Sequence, residues 1–544
     1  MSPRQVHDLL DAPQEWAFLD VREQGAFDQG HPFWAVNAPL SHLERVMPGL
    51  VPRKLTPLVL MDDADTGLAR RAAIRLAGWG YADIAVMQDG LEGWRHAGFP
   101  VHAGIHVPSK AFGEFVEHHA GTPSIDVSQL KRWIHQGHDM LLVDCRPFDE
   151  FQASSLPGSL NCPGADLVAR IFDLVLQDST TVVVHCAGRT RGIIGAQSLL
   201  NAGIANPVVT LRNGMADWIL GGEALANGNR RVAPPPTPQG TALALAAAKR
   251  MATRLELRTI DAQALQTLQA DPDRTLYLFD VRTPEEFEAG HPAGARSAPG
   301  GQLVQALDAY VGTRGSRIVL CDDTGVRARV TASWLVQMGW QDVFVLEPGI
   351  GPAGPGLERG PPATPLADPS AAEPVAEMDI VELRRGLQDG DVVLLDLSTS
   401  LQFGRQHIPG AWFAVRARLQ EALAQVPSHR TLALTCPDGQ FARMAFADAQ
   451  ALSSVPVAVL HGGNAAWSQA GWPMASGRQQ MTTACDDVWY SPIDRPDPVA
   501  AIHAYLDWEI GLADRLRQER GVRFKAFPET TDPGPTRPTP STGG

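Results

Sequence analysis

Val182-Val183-Val184-His185-Cys186-Ala187-Gly188-Arg189-Thr190-Arg191-Gly192-Ile193-Ile194-Gly195-Ala196 is the stretch from which the rest of the chain is read. Consecutive β-branched residues give way to a Cys, a Gly and two Arg, and then to Ile193, Ile194, Leu199 and Leu200 at helical spacing. The pattern predicts a buried strand, a tight loop and a helix. A cysteine between such a strand and a helix N-terminus lies where backbone N–H groups converge and the dipole is positive, so thiolate is favoured over thiol. Arg189 and Arg191 add two cations at the rim. Together these residues predict an ionised, nucleophilic Cys186 in a pocket open to an anionic substrate.

Working outward, the strand that precedes this loop has counterparts along the whole chain. Trp16-Ala17-Phe18-Leu19-Asp20, Leu141-Leu142-Val143-Asp144, Tyr277-Leu278-Phe279-Asp280 and Val393-Leu394-Leu395-Asp396 each close an apolar run with Asp, at steps of 124, 136 and 116 residues. A repeat of that length is a whole domain. Each Asp is followed by an aromatic and a turn, as in Phe27 with Gly30-His31-Pro32 and Phe403 with His407-Ile408-Pro409-Gly410. A second apolar strand, a helix, a third strand and a Gly turn come next; Trp94, Trp218 and Trp467 follow that turn in three copies, and the third copy lacks the Trp. Strands alternating with helices predict an α/β fold, each copy a parallel sheet with helices on both faces.

The loop from Cys186 to Arg191 has a Cys, four intervening residues and an Arg, and it resembles the active-site loop of rhodanese-type sulfurtransferases. The Asp-x-Arg strand end and the Gly-His-Pro turn strengthen the resemblance, which covers roughly residues 1 to 476. It implies four tandem rhodanese-like domains and a reaction in which Cys186 takes the outer sulfur of thiosulfate or a related persulfide. The sulfur would then pass to a thiol or to cyanide. Ala187, Gly188, Arg189, Thr190 and Arg191 would bind the donor, with Asp144 and Arg146 as the scaffold behind them. No metal or organic cofactor is implied. A Cys-dependent phosphatase or arsenate reductase is the rival enzyme, and a sulfur-relay scaffold without turnover is the rival non-enzyme.

The expected boundaries are 1–105 for the first copy, 106–232 for the second, 257–350 for the third and 377–476 for the fourth. Residues 233–256 form a Pro-rich linker and an Ala-rich helix, 351–376 a Gly/Pro-rich linker, 477–527 a helical extension, and 528–544 a disordered tail. No Pro-rich spacer separates the first two copies, so they are expected to pack as a pair. Residues 497–520 carry one broad apolar face, which reads as an amphipathic helix docked on the fourth copy or joining two chains in a homodimer.

At the loop position of the other copies the sequence offers Met61, Cys321 and Thr435. Met61 is inert and is followed by carboxylates, so the first copy reads as inactive. Cys321 and Arg327 form a second candidate site, with five residues between them, a longer loop like that of the cell-cycle dual-specificity phosphatases. Asp322 and Asp323 oppose an anion there, and an idle buried thiol is the plainer reading. In the fourth copy Cys436 stands one place out of register and Pro437 removes an amide, which predicts a structural domain. Cys145 reads as core, and Cys162 and Cys485 lie outside the loop register. A net charge of −14 argues against nucleic acid, and no apolar run is long enough for a membrane span. Six cysteines without paired spacing argue against disulfides and zinc, which makes the cytoplasm the expected compartment.

Overall fold

Parallel strands can be joined only by crossovers, and the alternation of strand and helix in each copy supplies them. A computed structural model describes residues 1–64, 66–350, 357–362, 366–367 and 374–528. Much of the 351–376 linker and the tail from 529 onward lie outside the described residues. In the second copy the strands lie side by side in the order Ser124–Ile125, Val208–Leu211, Thr181–His185, Met140–Asp144, Leu160–Asn161, all parallel. Thr181–His185 is buried along its whole length, which is why it reads as a continuous apolar run. The third copy repeats this order with Arg258–Ile260, Val343–Leu346, Arg317–Cys321, Leu276–Asp280 and Arg296–Ser297. The fourth does so with Glu377–Met378, Val457–Leu460, Thr431–Thr435, Val392–Asp396 and Trp412–Phe413. In the first copy the same places are taken by Ile84–Val86, Leu58–Met61, Trp16–Asp20 and Val36–Asn37.

The copies fall into two compact units. One comprises Met1–Val6, Phe18–Ile105 and Thr364–Arg495, and so holds the first and fourth copies; the other comprises His7–Ala17, His106–Ala363 and Pro496–Gly544, and holds the second and third. The expected pairing of the first two copies is therefore corrected. The segment between them folds as the helix Val107–Ala120, whose buried Phe112 and Val116 belong to the core of the second and third copies. In the same unit the Ala-rich helix Pro238–Arg254, capped by Thr237, packs on the helices Gly164–Leu174 and Val326–Gln337. Small residues permit this close approach: a Cβ on Gly240 of the Ala-rich helix would collide with the Asp173 carboxylate.

The expected amphipathic helix begins at Pro498, capped by Asp497, and breaks at Gly511 into a short helix Leu512–Arg515 and a turn Leu516–Gln518. Its seat is on the second copy and not the fourth: Ile502 and Leu506 bury against Ala216, Ile219 and Leu220, within the same unit.

One contact recurs in all four copies. The segment after the last strand, a helix start in the first, second and fourth copies, presses a glycine against the loop: a Cβ on Gly90, Gly214, Gly349 or Gly463 would lie 2.4, 2.3, 2.4 or 2.2 Å from the carbonyl oxygen of Asp62, Cys186, Asp322 or Cys436. The next backbone amide donates to the same carbonyl, from Leu91, Met215, Ile350 and Asn464 at 3.0, 3.0, 2.7 and 2.9 Å. Gly214 also has φ +53°, a region L side chains rarely adopt. Gly214→Ala is expected to destabilise the second copy by about 2 kcal/mol or more and to slow alkylation of Cys186. Thermal melting and iodoacetamide kinetics check this; an unchanged melting point with unchanged kinetics contradicts it.

Candidate active site

Cys186 follows the central strand Thr181–His185 directly, and the helix Thr190–Ala202 begins four residues later. The loop carbonyls of Cys186 and Ala187 are tied to the amides of Met215 and Ala216, both at 3.0 Å, so the loop amides turn the other way. The Gly192 N–H donates to the Cys186 sulfur at 3.3 Å, and the Gly188 N–H also faces it. The Cys186 pKa is held below its ordinary value first by a hydrogen bond from Cys145, then by Arg191 and these two amides, against the opposing effect of burial. The Cys145 thiol, 3.1 Å from the His185 carbonyl, is pushed up in turn, first by its bond to Cys186. Cys145 is thus part of the site and not merely core. The clue lay in strand pairing: Asp144 opposes His185, so the residues that follow each of them are neighbours.

Of the two arginines, only Arg191 serves the sulfur. Its guanidinium binds both oxygens of Glu150, at 2.7 and 2.8 Å, and Gln302 at 3.1 Å; burial works against its charge, but Glu150 holds its pKa above the usual value. Arg189 corrects the expectation of a second rim cation. It turns to the helix Val107–Ala120, where it binds both oxygens of Glu114 at 2.7 Å, reaches Glu117 and donates to Asn213 at 2.8 Å. Bound by two carboxylates, it fastens this helix to the loop.

Asp144 and Arg146 take scaffold positions. Arg146 Nε and Nη2 bind the two Asp144 oxygens at 2.9 and 2.7 Å, the Arg146 amide donates to the same carboxylate at 3.0 Å, and the guanidinium also reaches the Ser154 carbonyl. The first and third copies repeat this clasp with Asp20–Arg22 and Asp280–Arg282. In the fourth, Asp396 binds Ser398 and the Asn464 amide group instead.

The expected open pocket is also corrected: Cys186 is only 2% exposed. The helix Pro498–Ile510 covers the loop. Tyr505 Cε1 and Glu509 Oε2 each stand 3.7 Å from where a Cβ on Gly188 would lie, and Thr190 Oγ1 donates to Glu509 Oε1 at 2.7 Å. Glu509 Oε2 is buried without a hydrogen-bond partner. The Tyr505 phenol is pushed well above its usual pKa, first by burial and then by Glu509 and Cys186. Lys110 lies 5.0 Å from the Tyr505 ring centre and 4.9 Å from that of Trp508. Nothing in the loop motif foretold these partners, which arrive from more than three hundred residues downstream. Among the described residues no group of His, Cys, Asp and Glu is arranged to hold a metal ion.

Strand pairing and the glycine contact fix the register of the other loops. Asp144 pairs with His185, Asp280 with Cys321 and Asp396 with Thr435, so Cys321 corresponds to His185, and the residues equivalent to Cys186 are Asp62, Asp322 and Cys436. The second candidate site at Cys321 and Arg327 is corrected accordingly. Cys321 ends its strand with its sulfur 3.4 Å from the Phe279 carbonyl, and burial, then Asp280 and Asp322, push its pKa well above the usual value. Arg327 does correspond to Arg191, but it is spent on Asp166, Glu286 and Asp323. Counted from Asp322, this loop is no longer than that of the second copy, which removes the likeness to the phosphatases.

A repeated parallel sheet with a strand-loop-helix nucleophile agrees with comparison to known proteins. The model of the rhodanese-like domain matches residues 2–97, 126–220, 261–351 and 379–470. The chain belongs to the rhodanese-like domain family. A crystal structure described as thiosulfate sulfurtransferase from Pseudomonas aeruginosa superposes with a TM-score of 0.91, at 41% identity, covering 97% of this chain and 99% of that one. A curated HTH-type transcriptional regulator, Rv0324 of Mycobacterium tuberculosis (strain ATCC 25618 / H37Rv), is 31% identical over 84 residues, 15% of this chain; the chain spans 36% of that protein's length.

Within this rhodanese-like site, Cys145→Ala removes the leading stabiliser of the Cys186 anion. The midpoint of the pH profile of Cys186 alkylation is expected to move upward, towards the value of an ordinary thiol. An unmoved or lowered midpoint contradicts the role given to Cys145.

Proposed function

We propose that the chain is a sulfurtransferase that moves sulfane sulfur from thiosulfate or a related persulfide donor, through a persulfide on Cys186, to a thiol or to cyanide. The observation that carries this reading is the Cys186 sulfur itself, lowered in pKa and faced by the Gly188 and Gly192 amides beside Arg191. Full-length similarity to the Pseudomonas aeruginosa sulfurtransferase supports it. The Cys186 thiolate attacks the outer sulfur, a new S–S bond forms as the S–S bond of the donor breaks, and sulfite leaves with both electrons of the broken bond. The amides facing the sulfur, with Arg191, offset the negative charge that gathers there. An acceptor thiolate or cyanide then attacks the outer sulfur of the persulfide and returns the Cys186 thiolate. No oxidant is consumed. Ping-pong kinetics follow from the two half-reactions.

On this reading Tyr505 and Glu509 withdraw from the loop when a donor enters, and a small thiol or cyanide is the acceptor that then fits. The free thiols of Cys145, Cys162, Cys186, Cys321, Cys436 and Cys485 fit a reducing compartment such as the cytoplasm.

After treatment with thiosulfate, intact-protein mass spectrometry is expected to show one added sulfur atom in wild type and in Cys321→Ala, and none in Cys186→Ala. An adduct that survives Cys186→Ala and vanishes in Cys321→Ala overturns the assignment. Because Glu509 places a buried carboxylate against the loop that receives the donor anion, Glu509→Gln is expected to lower the KM for thiosulfate by about fivefold. A raised KM contradicts that role.

A further inference from the structure

The fourth copy has a cysteine at the nucleophile position of its loop, and the loop is built as in the second copy. The Cys436 carbonyl is pinned by Asn464 and the Pro437 carbonyl by Ala465, both at 2.9 Å, just as Met215 and Ala216 pin Cys186 and Ala187. The Ala442 N–H donates to the Cys436 sulfur at 3.4 Å, six residues on, the same offset as from Gly192 to Cys186. Pro437 costs one amide, yet those of Asp438 and Phe441 also face the sulfur. The Cys436 thiol donates to Asp438 Oδ1 at 3.6 Å.

Cys436 is buried, and its residue borders a cavity of about 250 Å³. Two carboxylates on its wall have unused oxygens. Glu23 is 5% exposed; one oxygen accepts from Ser41 at 2.5 Å, and the other has no partner among the described residues. Asp487 accepts from the Ser400 amide at 2.7 Å with one oxygen, while its Oδ1 is buried and unpartnered. Burial pushes the Glu23 carboxyl up to about 7, against the opposing pull of the Ser41 hydrogen bond and the Arg418 charge. Arg416, on the same wall, is committed to Glu44, Asp448 and the Ser41 and Met444 carbonyls. The remaining cation of the lining, Arg45, is an exposed side chain. The cavity therefore asks for a donor of positive hydrogen bonds deep inside, next to a thiol.

We propose that Cys436 is a second sulfur-accepting site, whose donor is a small persulfide bearing an ammonium group that binds the free oxygens of Glu23 and Asp487. Asp438 takes the proton of the Cys436 thiol as its sulfur attacks the outer sulfur of the donor R–S–S–H. The new S–S bond forms on Cys436, the old one breaks, and the proton returns to the departing R–S⁻ as thiol. The sulfane sulfur keeps its oxidation state, so no redox partner is needed. Thiosulfate, a dianion, is excluded by the same carboxylates that hold the ammonium.

The test uses the full chain carrying Cys186→Ser, treated with cysteamine hydropersulfide or with the equally small, anionic mercaptoacetate hydropersulfide, and read by peptide mass spectrometry. One added sulfur on the Cys436 peptide is expected about tenfold faster with the cysteamine reagent, and Glu23→Gln is expected to remove about that factor. Asp487→Asn provides the same readout should Glu23→Gln fail to fold. Persulfidation of Cys186 by thiosulfate in a chain with native Cys186 and Glu23→Gln is expected to be unchanged. No adduct on Cys436, or equal rates with the two reagents, overturns the proposal.

Discussion

The contact on which the rest depends is a pair of backbone hydrogen bonds. In the first, second and fourth copies the helix after the last strand offers its first amides to the carbonyls of the loop that follows the central strand, at 3.0 Å for both Cys186 and Ala187, and in the third copy the Ile350 amide does the same for Asp322. Once those carbonyls are held outward, the loop has only N–H groups to show on its inner side, and a side chain that begins the loop finds itself ringed by donors. A glycine is required where the helix starts, because the carbonyl already fills the space of a Cβ. This geometry sets the frame, and the neighbours of the sulfur, Cys145 and Arg191 at Cys186, decide its charge.

Each copy answers the ring of donors differently. In the first, the Asp62 carboxylate accepts from the Ala69 amide and the Thr66 hydroxyl at 3.2 and 2.9 Å. In the third, Asp322 accepts from the Gly325 and Arg327 amides at 2.7 and 2.9 Å. In both, the loop's anion site is filled by the chain's own anion, which secures the loop and leaves no nucleophile. The second and fourth copies put sulfur there. Their surroundings then push in opposite directions: Cys186 is held down by Cys145 and Arg191, whereas burial pushes Cys436 up to about 11.

The repeat, the parallel sheets and the Cys186 to Arg191 loop were legible because they rest on local patterns: apolar runs, strand-end aspartates and one short motif. What was not legible depends on partners remote in sequence. Arg189 looked like a substrate cation until Glu114 and Glu117, some seventy residues earlier, were seen to hold it. Cys145 looked like core because its link to Cys186 runs across neighbouring strands. Counting residues from the strand-end Asp placed Cys321 in the loop and Cys436 beside it. The paired residues His185 and Cys321 both lie 41 positions after their Asp and Cys186 lies 42, so a count allowed one residue of slack puts Cys321 in the loop. In the fourth copy, where Thr435 lies 39 after Asp396, only hydrogen bonds fix the register. The seat of the C-terminal helix was hidden for the same reason, its apolar face being compatible with any apolar surface.

The central claim is that Cys145, Arg191 and the inward-facing amides together hold the sulfur at position 186 as an anion ready to carry a second sulfur. A crystal structure of the thiosulfate-treated protein tests it most directly. The account predicts an extra sulfur bonded to Cys186 and lying within hydrogen-bond distance of the loop amides, with Cys321 unmodified. An unmodified Cys186, or extra sulfur on Cys321, would contradict it.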